Sequence, residues 1–115
     1  MTTNNETWLI DEAGKIVGKK SIDGYESLTS LEKAIYCFWV IDYAVRNSGT
    51  LEPMRELHKS SIAELVEFSQ NNNCKNLFSL LAVADDEKAF CKNYSKKFDK
   101  ACQDLRDLYE WKIIK

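Results

Sequence analysis

The sequence predicts a mainly α-helical single domain of about five helices with a small N-terminal β-hairpin. Three stretches after residue 29 carry apolar residues at helical spacing, and one of them is apolar on every face. Hydrophobic residues make up 44% and charged residues 30% of the 115 residues, as in globular chains that form their own core. No βαβ alternation favours a parallel sheet. We expect one domain over 1–115, with 1–6 flexible, 7–18 forming the hairpin and 29–113 the helical body.

The hairpin is predicted from two short apolar segments, TWLI and KIVG. They flank DEAG, a four-residue stretch with the composition of a turn. We expect Trp8 to Ile10 to pair with Lys15 to Gly18, and residues 19–28 to form a connecting loop with one turn of helix. A hairpin is marginally stable alone, so it must pack on the helical body.

The most apolar stretch, AIYCFWVI at residues 34–41, predicts a central helix. A capping box precedes it, with Thr29 as the N-cap and Glu32 three residues later, so we expect a helix from Ser30 to Asn47. Gly49 then supplies the residue that most readily adopts the left-handed conformation ending many helices. Because the stretch is apolar on every face, other helices must surround it.

The polar end of this helix, VRNSG, has two interpretations. Asp42, Arg46 and Asn47 are either buried polar scaffolding for the next loop or part of a functional surface. The sequence favours scaffolding, because Gly49 accounts for the end of the helix without a functional explanation.

Three shorter helical segments follow. Residues 50–59, TLEPMRELHK, place the only proline in a first helical turn. An apolar stripe predicts a helix at 61–71, either separate from the preceding one or continuous with it, and Ser61 with Glu64 fits a second capping box. CKNLFSLLAVA predicts a buried helix at 75–83.

The last helix is the best defined by its pattern. Acids at its start, from Asp85 to Glu87, lie where the positive end of the helix dipole favours them. Apolar residues then recur at spacings of three and four and form one seam: Cys91, Tyr94, Phe98, Ala101, Leu105 and Leu108. The seam predicts a long helix with one face packed on the core.

No residue pattern identifies a catalytic, metal or cofactor site. His58 is the only histidine; we expect it to be exposed on a helix, and no spacing around it fits a metal site. An enzyme that uses His58 or a thiol is therefore the least favoured functional hypothesis. We interpret the four cysteines, which lack a C-x-x-C pair, as small apolar core residues: Cys37, Cys74, Cys91 and Cys102. The prediction is a protein that is not an enzyme and needs no cofactor or metal.

Clustered acids and terminal tryptophans are the candidate binding residues. Spacings of three and four place the acids of the 52–67 region in pairs, each on one helix face, where they can steer association with a basic partner. Trp8 and Trp111 lie near the two ends and either close the core or anchor a partner. The candidate partner-binding residues are Glu52, Glu56, Glu64, Glu67, Asp85, Asp86, Glu87 and Trp111.

Residues 28–82, which begin LTSLEKAIYCFWVIDYAVRNSGT, resemble the DNA-mimic-like family of small bacterial helical proteins. The opening helix of that family commonly ends in an acid, a valine, two asparagines, two glycines and an aromatic residue. Val45, Asn47 and Gly49 match this pattern, and the remaining positions differ, at Ala44, Arg46, Ser48 and Thr50. The resemblance implies a helical architecture and a binding role, which some members perform through DNA-like acidic surfaces.

By type, the chain also resembles the immunity proteins that neutralise bacterial toxins, because it is small, acidic and rich in Asn and Lys. Such toxins are often basic nucleases, which an acidic helical surface would complement. We therefore expect a non-catalytic bacterial immunity protein that binds and inhibits a cognate toxin, with a nuclease as the favoured toxin, in contact-dependent or interbacterial competition. The alternative is a DNA-mimic-type regulator that occupies a nucleic-acid-binding protein through acidic helix faces.

The composition also bounds the partners and the compartment. A net charge of -2 argues against direct nucleic-acid binding, which needs a concentrated basic face. The N-terminus lacks the basic and apolar segments of a signal peptide, and no apolar run approaches the roughly 20 residues that span a bilayer. We expect a cytoplasmic protein with a protein partner and no membrane association.

Overall fold

The computed structural model describes residues 4–114, which form six α-helices and one 3₁₀ turn. The helices are α1 (Asn4–Asp23), α2 (Ser30–Ser48), α3 (Glu52–His58), α4 (Ser61–Asn71), α5 (Lys75–Leu81) and α6 (Glu87–Ile114), and the 3₁₀ turn is Tyr25–Ser27. The mainly α-helical class is confirmed. The predicted hairpin is wrong, since this range contains no strand, and the count is six helices rather than about five.

The predicted hairpin region forms the middle of α1. Leu9, Ala13 and Ile16 recur at helical spacing and are buried. Asn5 and Glu12 lie on the same buried stripe. Because both are polar, the apolar residues alone do not show the helical spacing of the stripe. The DEAG stretch is a helical turn, and α1 continues through the first half of the predicted loop.

The start of α1 is tied to α6. The Asn5 side-chain amide donates to the backbone carbonyl of Asp99 at 3.2 Å and to its carboxylate at 3.0 Å. The guanidinium of Arg106 donates to the Asn5 side-chain oxygen at 3.2 Å. Of the leader 1–6, which the sequence predicts to be flexible, residues 1–3 lie outside the described residues, and the remainder forms the first turn of α1.

α2 is the central helix, as predicted, because α1, α3, α4 and α6 all pack against it. Its capping box is confirmed: the Glu32 N–H donates to Thr29 Oγ1 at 3.1 Å, and the Thr29 N–H donates to Glu32 Oε1 at 2.8 Å. Gly49 ends the helix with a φ of 70°, and its N–H donates to the Val45 carbonyl at 2.9 Å. Trp39, by contrast, is only half-buried.

The polar end of α2 is mainly scaffolding, although it holds α6 rather than the next loop. The Asp42 carboxylate is 3% exposed and accepts from the Tyr94 hydroxyl at 2.7 Å and from Arg46 Nε at 2.8 Å. The Arg46 guanidinium lies 4.7 Å from the centre of the Phe98 ring. Asn47 is exposed and bonds back to its own helix.

The three short helices follow one another separately. Pro53 lies in the first turn of α3, as predicted. The second predicted capping box is wrong: the N-cap of α4 is Ser60 and makes no side-chain cap bond, while the Ser61 hydroxyl donates to the His58 carbonyl at 2.6 Å. The Glu64 carboxylate therefore makes no capping-box bond and can bond to other side chains.

α6 packs its predicted seam on the core. Tyr94, Phe98, Ala101 and Leu105 are buried, and the Phe98 ring lies 5.5 Å from that of Phe38. Three of the four cysteines are buried as predicted, and Cys91 is half-buried. None of the described helices combines the length and the apolarity needed to cross a bilayer.

Candidate functional site

A contact between α3 and the start of α6 brings two of the predicted partner-binding acids together, Glu52 and Glu87. Arg55 donates to Glu52 at 2.9 Å and also to Glu87, the first residue of α6. The backbone N–H of Leu51 donates to the same Glu87 carboxylate at 3.1 Å. We call the surface around this contact the α3–α6 acidic surface, and we assign to it also the acids that neighbour the contact along the chain: Glu56, one turn after Glu52, and Asp85 and Asp86, just before α6.

The acids of this surface differ in the bonds that they make. Hydrogen bonds from Arg55 and from the Leu51 backbone lower the pKa of the Glu87 carboxyl. Asp86 caps α6 by accepting from the Ala89 N–H at 3.1 Å. Glu56 and Asp85 are exposed, with side chains directed to solvent rather than into the core.

Two apolar side chains lie on the elements that carry these acids. Leu57 of α3 is 48% exposed, and Val83, in the connection between α5 and α6, is 36% exposed. Apolar side chains near charged ones can supply contact area when a partner covers them. Two cations, Lys59 and Lys88, are also exposed and are close to these acids in the sequence. The surface therefore carries both signs of charge, with more acids than cations.

Trp111 belongs to a different part of the molecule. It is 57% exposed and lies 24 positions after Glu87 in the same helix, which is about 36 Å of helix at 1.5 Å per residue. It borders a surface cavity of about 460 Å³ that also meets Asn73, Cys74 and Leu108. Trp8 is half-buried against Tyr109, with ring centres 5.6 Å apart, and closes the core. One compact interface cannot contain both Trp111 and the α3–α6 acidic surface.

The two predicted partner-binding acids of α4, Glu64 and Glu67, make different contacts. Glu64 and Glu67 border the same cavity of about 330 Å³ between α2 and α4, as their shared helix face predicts. Glu67 is exposed, whereas Glu64 also turns inward to a polar cluster. We call it the Glu64 cluster, and its members are Tyr25, Cys37, His58, Ser60 and Glu64.

The Glu64 carboxylate is the centre of that cluster. Its Oε2 atom lies 2.6 Å from His58 Nε2 and accepts from the Ser60 hydroxyl at 2.5 Å. Its Oε1 atom accepts from the Tyr25 hydroxyl and lies 3.9 Å from Cys37 Sγ. His58 is half-buried, with the Tyr25 ring centre 4.7 Å away, so the prediction of an exposed helix histidine is wrong.

The cluster perturbs its titratable groups. Although burial alone would raise it, hydrogen bonds from Ser60, Tyr25 and His58 lower the pKa of the Glu64 carboxyl. Burial, with a further contribution from the Glu64 charge, raises the pKa of the Cys37 thiol to about 12. Burial also raises the pKa of the Tyr25 hydroxyl, as does its bond to Glu64. At neutral pH the Glu64 carboxyl is therefore ionised, while the Tyr25 hydroxyl and the Cys37 thiol keep their protons.

This geometry does not assemble a nucleophilic relay within the cluster. Ser60 and Glu64 both meet His58 at the same Nε2 atom, at 3.4 and 2.6 Å, whereas a relay needs the nucleophile and the acid on opposite ring nitrogens. The Cys37 thiol stays protonated and is fully buried. What the cluster does supply is a thiol, an imidazole and a carboxylate close together, which are ligand types for a transition metal.

No protein-family model, curated protein or solved structure matches this chain. The resemblances to DNA-mimic-like and immunity proteins therefore stay predictions, and a proposal about function depends on the geometry of the chain itself.

Sequence reasoning missed the Glu64 cluster because its members come from four separate segments. Tyr25 lies in the 3₁₀ turn, Cys37 in α2, His58 at the end of α3 and Glu64 in α4. The only local signal is the single histidine six positions before Glu64, across the turn between two helices. That spacing matches no familiar metal or catalytic motif.

Proposed function

We propose that the protein is a non-catalytic binding protein that acts as a bacterial immunity protein and inhibits a cognate toxin, with a nuclease as the expected toxin. The supporting observation is the α3–α6 acidic surface. The bonds from Arg55 and Leu51 to Glu87 connect the beginning of α3 to the start of α6 and so bring Glu52 and Glu87 together, with Glu56, Asp85 and Asp86 close to them along the chain.

A basic nuclease domain has the charge that this surface complements. The cleft of such an enzyme attracts phosphate, so a surface rich in carboxylates is drawn to the same field. Charges of this kind mainly raise the association rate and select the partner, while buried apolar groups supply much of the affinity. Leu57 and Val83 would supply apolar contact, and the surrounding acids would orient the complex.

The distribution of lysines favours a toxin partner over the DNA-mimic alternative. A DNA mimic needs carboxylates spaced like phosphates along an extended stripe. The exposed side of α6 instead carries several cations beyond the acids at its start: Lys88, Lys92, Lys96 and Lys100. The α3–α6 acidic surface is local, which fits a plug over one cleft better than a substitute for a duplex.

Co-expression with a toxin domain tests this proposal. The toxin domain encoded beside this protein's own gene would be expressed alone and together with the intact chain, and host growth and nucleic-acid cleavage would be measured. We expect the chain to restore growth and to inhibit cleavage at a 1:1 molar ratio. Unprotected growth together with undiminished cleavage by the purified toxin would refute the immunity role.

A second arm separates the alternative. The purified chain would be mixed with a DNA-binding protein of the same host, and displacement of labelled duplex would be followed. We expect no displacement at concentrations that inhibit the toxin. Displacement without toxin inhibition would favour the DNA-mimic regulator instead.

A further inference from the structure

Three side chains of the Glu64 cluster place metal-ligating atoms within reach of one ion. Cys37 Sγ, His58 Nε2 and a carboxylate oxygen of Glu64 all lie within 4.8 Å of one another. We infer that these three residues form a binding site for Zn²⁺ or a similar divalent transition metal. The site is distinct from the α3–α6 acidic surface and does not depend on the proposed toxin.

The three ligand atoms lie within 4.8 Å of one another, so the side chains would move by up to about 1 Å to form a tetrahedral site. With zinc–ligand bonds of about 2.0–2.3 Å, neighbouring ligand atoms lie about 3.3–3.8 Å apart. Cys37 Sγ and Glu64 Oε1 are 3.9 Å apart, which needs almost no adjustment. His58 Nε2 and Glu64 Oε2 are hydrogen-bonded at 2.6 Å, so the ion would enter between them and separate them by about 1 Å.

The three ligands can neutralise a divalent ion without another charged group. On binding, the Cys37 thiol releases its proton to solvent, and the resulting thiolate together with the Glu64 carboxylate neutralises a divalent ion. His58 coordinates as neutral imidazole. Two cations lie near the cluster: Lys20 is over the Tyr36 ring, and Lys33, over the Tyr25 ring, also borders the cavity that Glu64 lines.

The surrounding groups would support the bound ion. The Tyr25 hydroxyl can keep its bond to the Glu64 carboxylate and so orient that ligand, as outer-sphere donors do in many metal sites. The Glu64 and His58 side chains are 34% and 20% exposed, which gives the ion a path from solvent. Three protein ligands leave one tetrahedral position for water.

The ligand types select the metal class. Thiolate and imidazole favour zinc, cobalt and neighbouring transition metals, whereas magnesium and calcium prefer oxygen ligands alone. Because the ligands come from α2, α3 and α4, the ion would cross-link three helices of the core. We expect metal binding to raise the melting temperature.

Cobalt absorption tests the site directly. Co²⁺ would be titrated into chelator-treated, reduced protein, followed by Zn²⁺. We expect a strong near-ultraviolet charge-transfer band from thiolate to cobalt, visible bands typical of tetrahedral cobalt, and loss of both when Zn²⁺ is added. Mg²⁺ should have no effect. No charge-transfer band at saturating Co²⁺ would overturn the inference.

Variants assign the ligands. Cys37→Ser should abolish the charge-transfer band, while Cys91→Ser, which alters a half-buried thiol elsewhere on α6, should keep it. A band that persists in Cys37→Ser would contradict the site. Since Cys37 is fully buried and its variant can misfold, His58→Ala provides a second arm, with folding checked by circular dichroism.

For His58→Ala we expect Zn²⁺ affinity, measured by competition with a chromophoric chelator, to fall about 100-fold or more. Outer-sphere changes alone typically cost 10–100-fold, so removal of a ligand should cost at least as much. Unchanged affinity in folded His58→Ala would overturn the inference.

Discussion

Asp42 joins α2 to α6 through a buried hydrogen bond. Its carboxylate is almost fully buried and is held by one bond from α6, the Tyr94 hydroxyl at 2.7 Å, and one from Arg46 at 2.8 Å. Burial raises the pKa of the Asp42 carboxyl even though both bonds oppose the shift. A buried carboxylate with two donors is stable only while both donors stay in place.

Replacing Asp42 with alanine should destabilise the protein by about 3 kcal/mol, because the buried Tyr94 hydroxyl and the Arg46 guanidinium both lose their acceptor. Urea unfolding followed by circular dichroism measures this change. The Tyr94→Phe variant, which keeps the ring, should cost only about 1 kcal/mol. A loss below about 1 kcal/mol in Asp42→Ala would mean that the carboxylate is not held as described.

Glu32 gives a pH-dependent prediction. Although burial alone would raise it, bonds from the Thr29 backbone and from Lys19 lower the pKa of the Glu32 carboxyl below its ordinary value of 4.5. Its charge therefore stabilises the fold above that pH, and the contribution is lost as the pH falls through the lowered folded-state pKa.

The Glu32→Gln variant isolates this charge while keeping the shape of the capping residue. We expect the variant to be less stable than the parent by about 0.5 kcal/mol at pH 7, because the pair with Lys19 is partly exposed. The difference should shrink as the pH falls below about 4.5. Urea unfolding at several pH values measures it, and a difference that grows towards acid pH would contradict the assignment.

The residue patterns predict contacts between residues that are close in sequence. They do not predict contacts between residues that are far apart in sequence. The Thr29 capping box and the Gly49 helix end depend on residues within a few positions, so their spacing was sufficient. The Glu64 cluster depends on how the 3₁₀ turn, α2, α3 and α4 pack, which no local pattern encodes. The same holds for Asp42, whose partner Tyr94 is 52 positions away.

Among the helices, α1 shows why the sequence of a helix can predict a hairpin. DEAG resembles a turn because it combines acids with glycine, yet its Gly14 lies on the solvent side of a continuous helix. The apolar stripe of α1 is interrupted by Asn5 and Glu12, which are buried through partners supplied by α6 and by α1 itself. The partners that bury Asn5 lie on α6, more than 90 positions away, so the local sequence does not reveal them.

Alanine in place of glycine distinguishes the two descriptions of this segment. A Cβ atom at Gly14 or Gly18 would meet nothing within 4 Å, and glycine inside a helix is less favourable than alanine. We expect Gly14→Ala and Gly18→Ala each to stabilise the protein by about 0.5–1 kcal/mol in urea unfolding. If Gly14 formed a hairpin turn, Gly14→Ala would destabilise it.

Gly49 supplies the matched control for these substitutions. Its Cβ would also have open space, but its φ of 70° lies in the left-handed region. Gly49→Ala should therefore destabilise the protein by about 1 kcal/mol. Equal effects at Gly14 and Gly49 would mean that backbone conformation does not determine the outcome.

At the scale of the whole molecule, the predicted binding residues separate into distinct regions. The principal extents of the molecule are 37 × 30 × 27 Å, so the roughly 36 Å of α6 between Glu87 and Trp111 is comparable to its full length. Sequence spacing identifies the acids but does not show that Arg55 brings Glu52 of α3 to Glu87 of α6, while Trp111 lies apart from both. The proposed docking surface is therefore the acidic one.

The most direct measurement is the affinity of the purified chain for its toxin domain, compared between two double variants with equal change in charge. Glu56→Lys/Asp85→Lys reverses two exposed acids of the α3–α6 acidic surface and spares Glu87 and Asp86, which hold the fold. Asp11→Lys/Glu26→Lys reverses two exposed acids elsewhere.

We predict that the first variant loses at least about tenfold in affinity, mainly through slower association that is sensitive to salt, because close charge complementarity steers the encounter. The second variant should bind nearly as well as the parent. Equal affinities for both variants would contradict docking through the α3–α6 acidic surface, and absence of binding by the parent would contradict the proposed function itself.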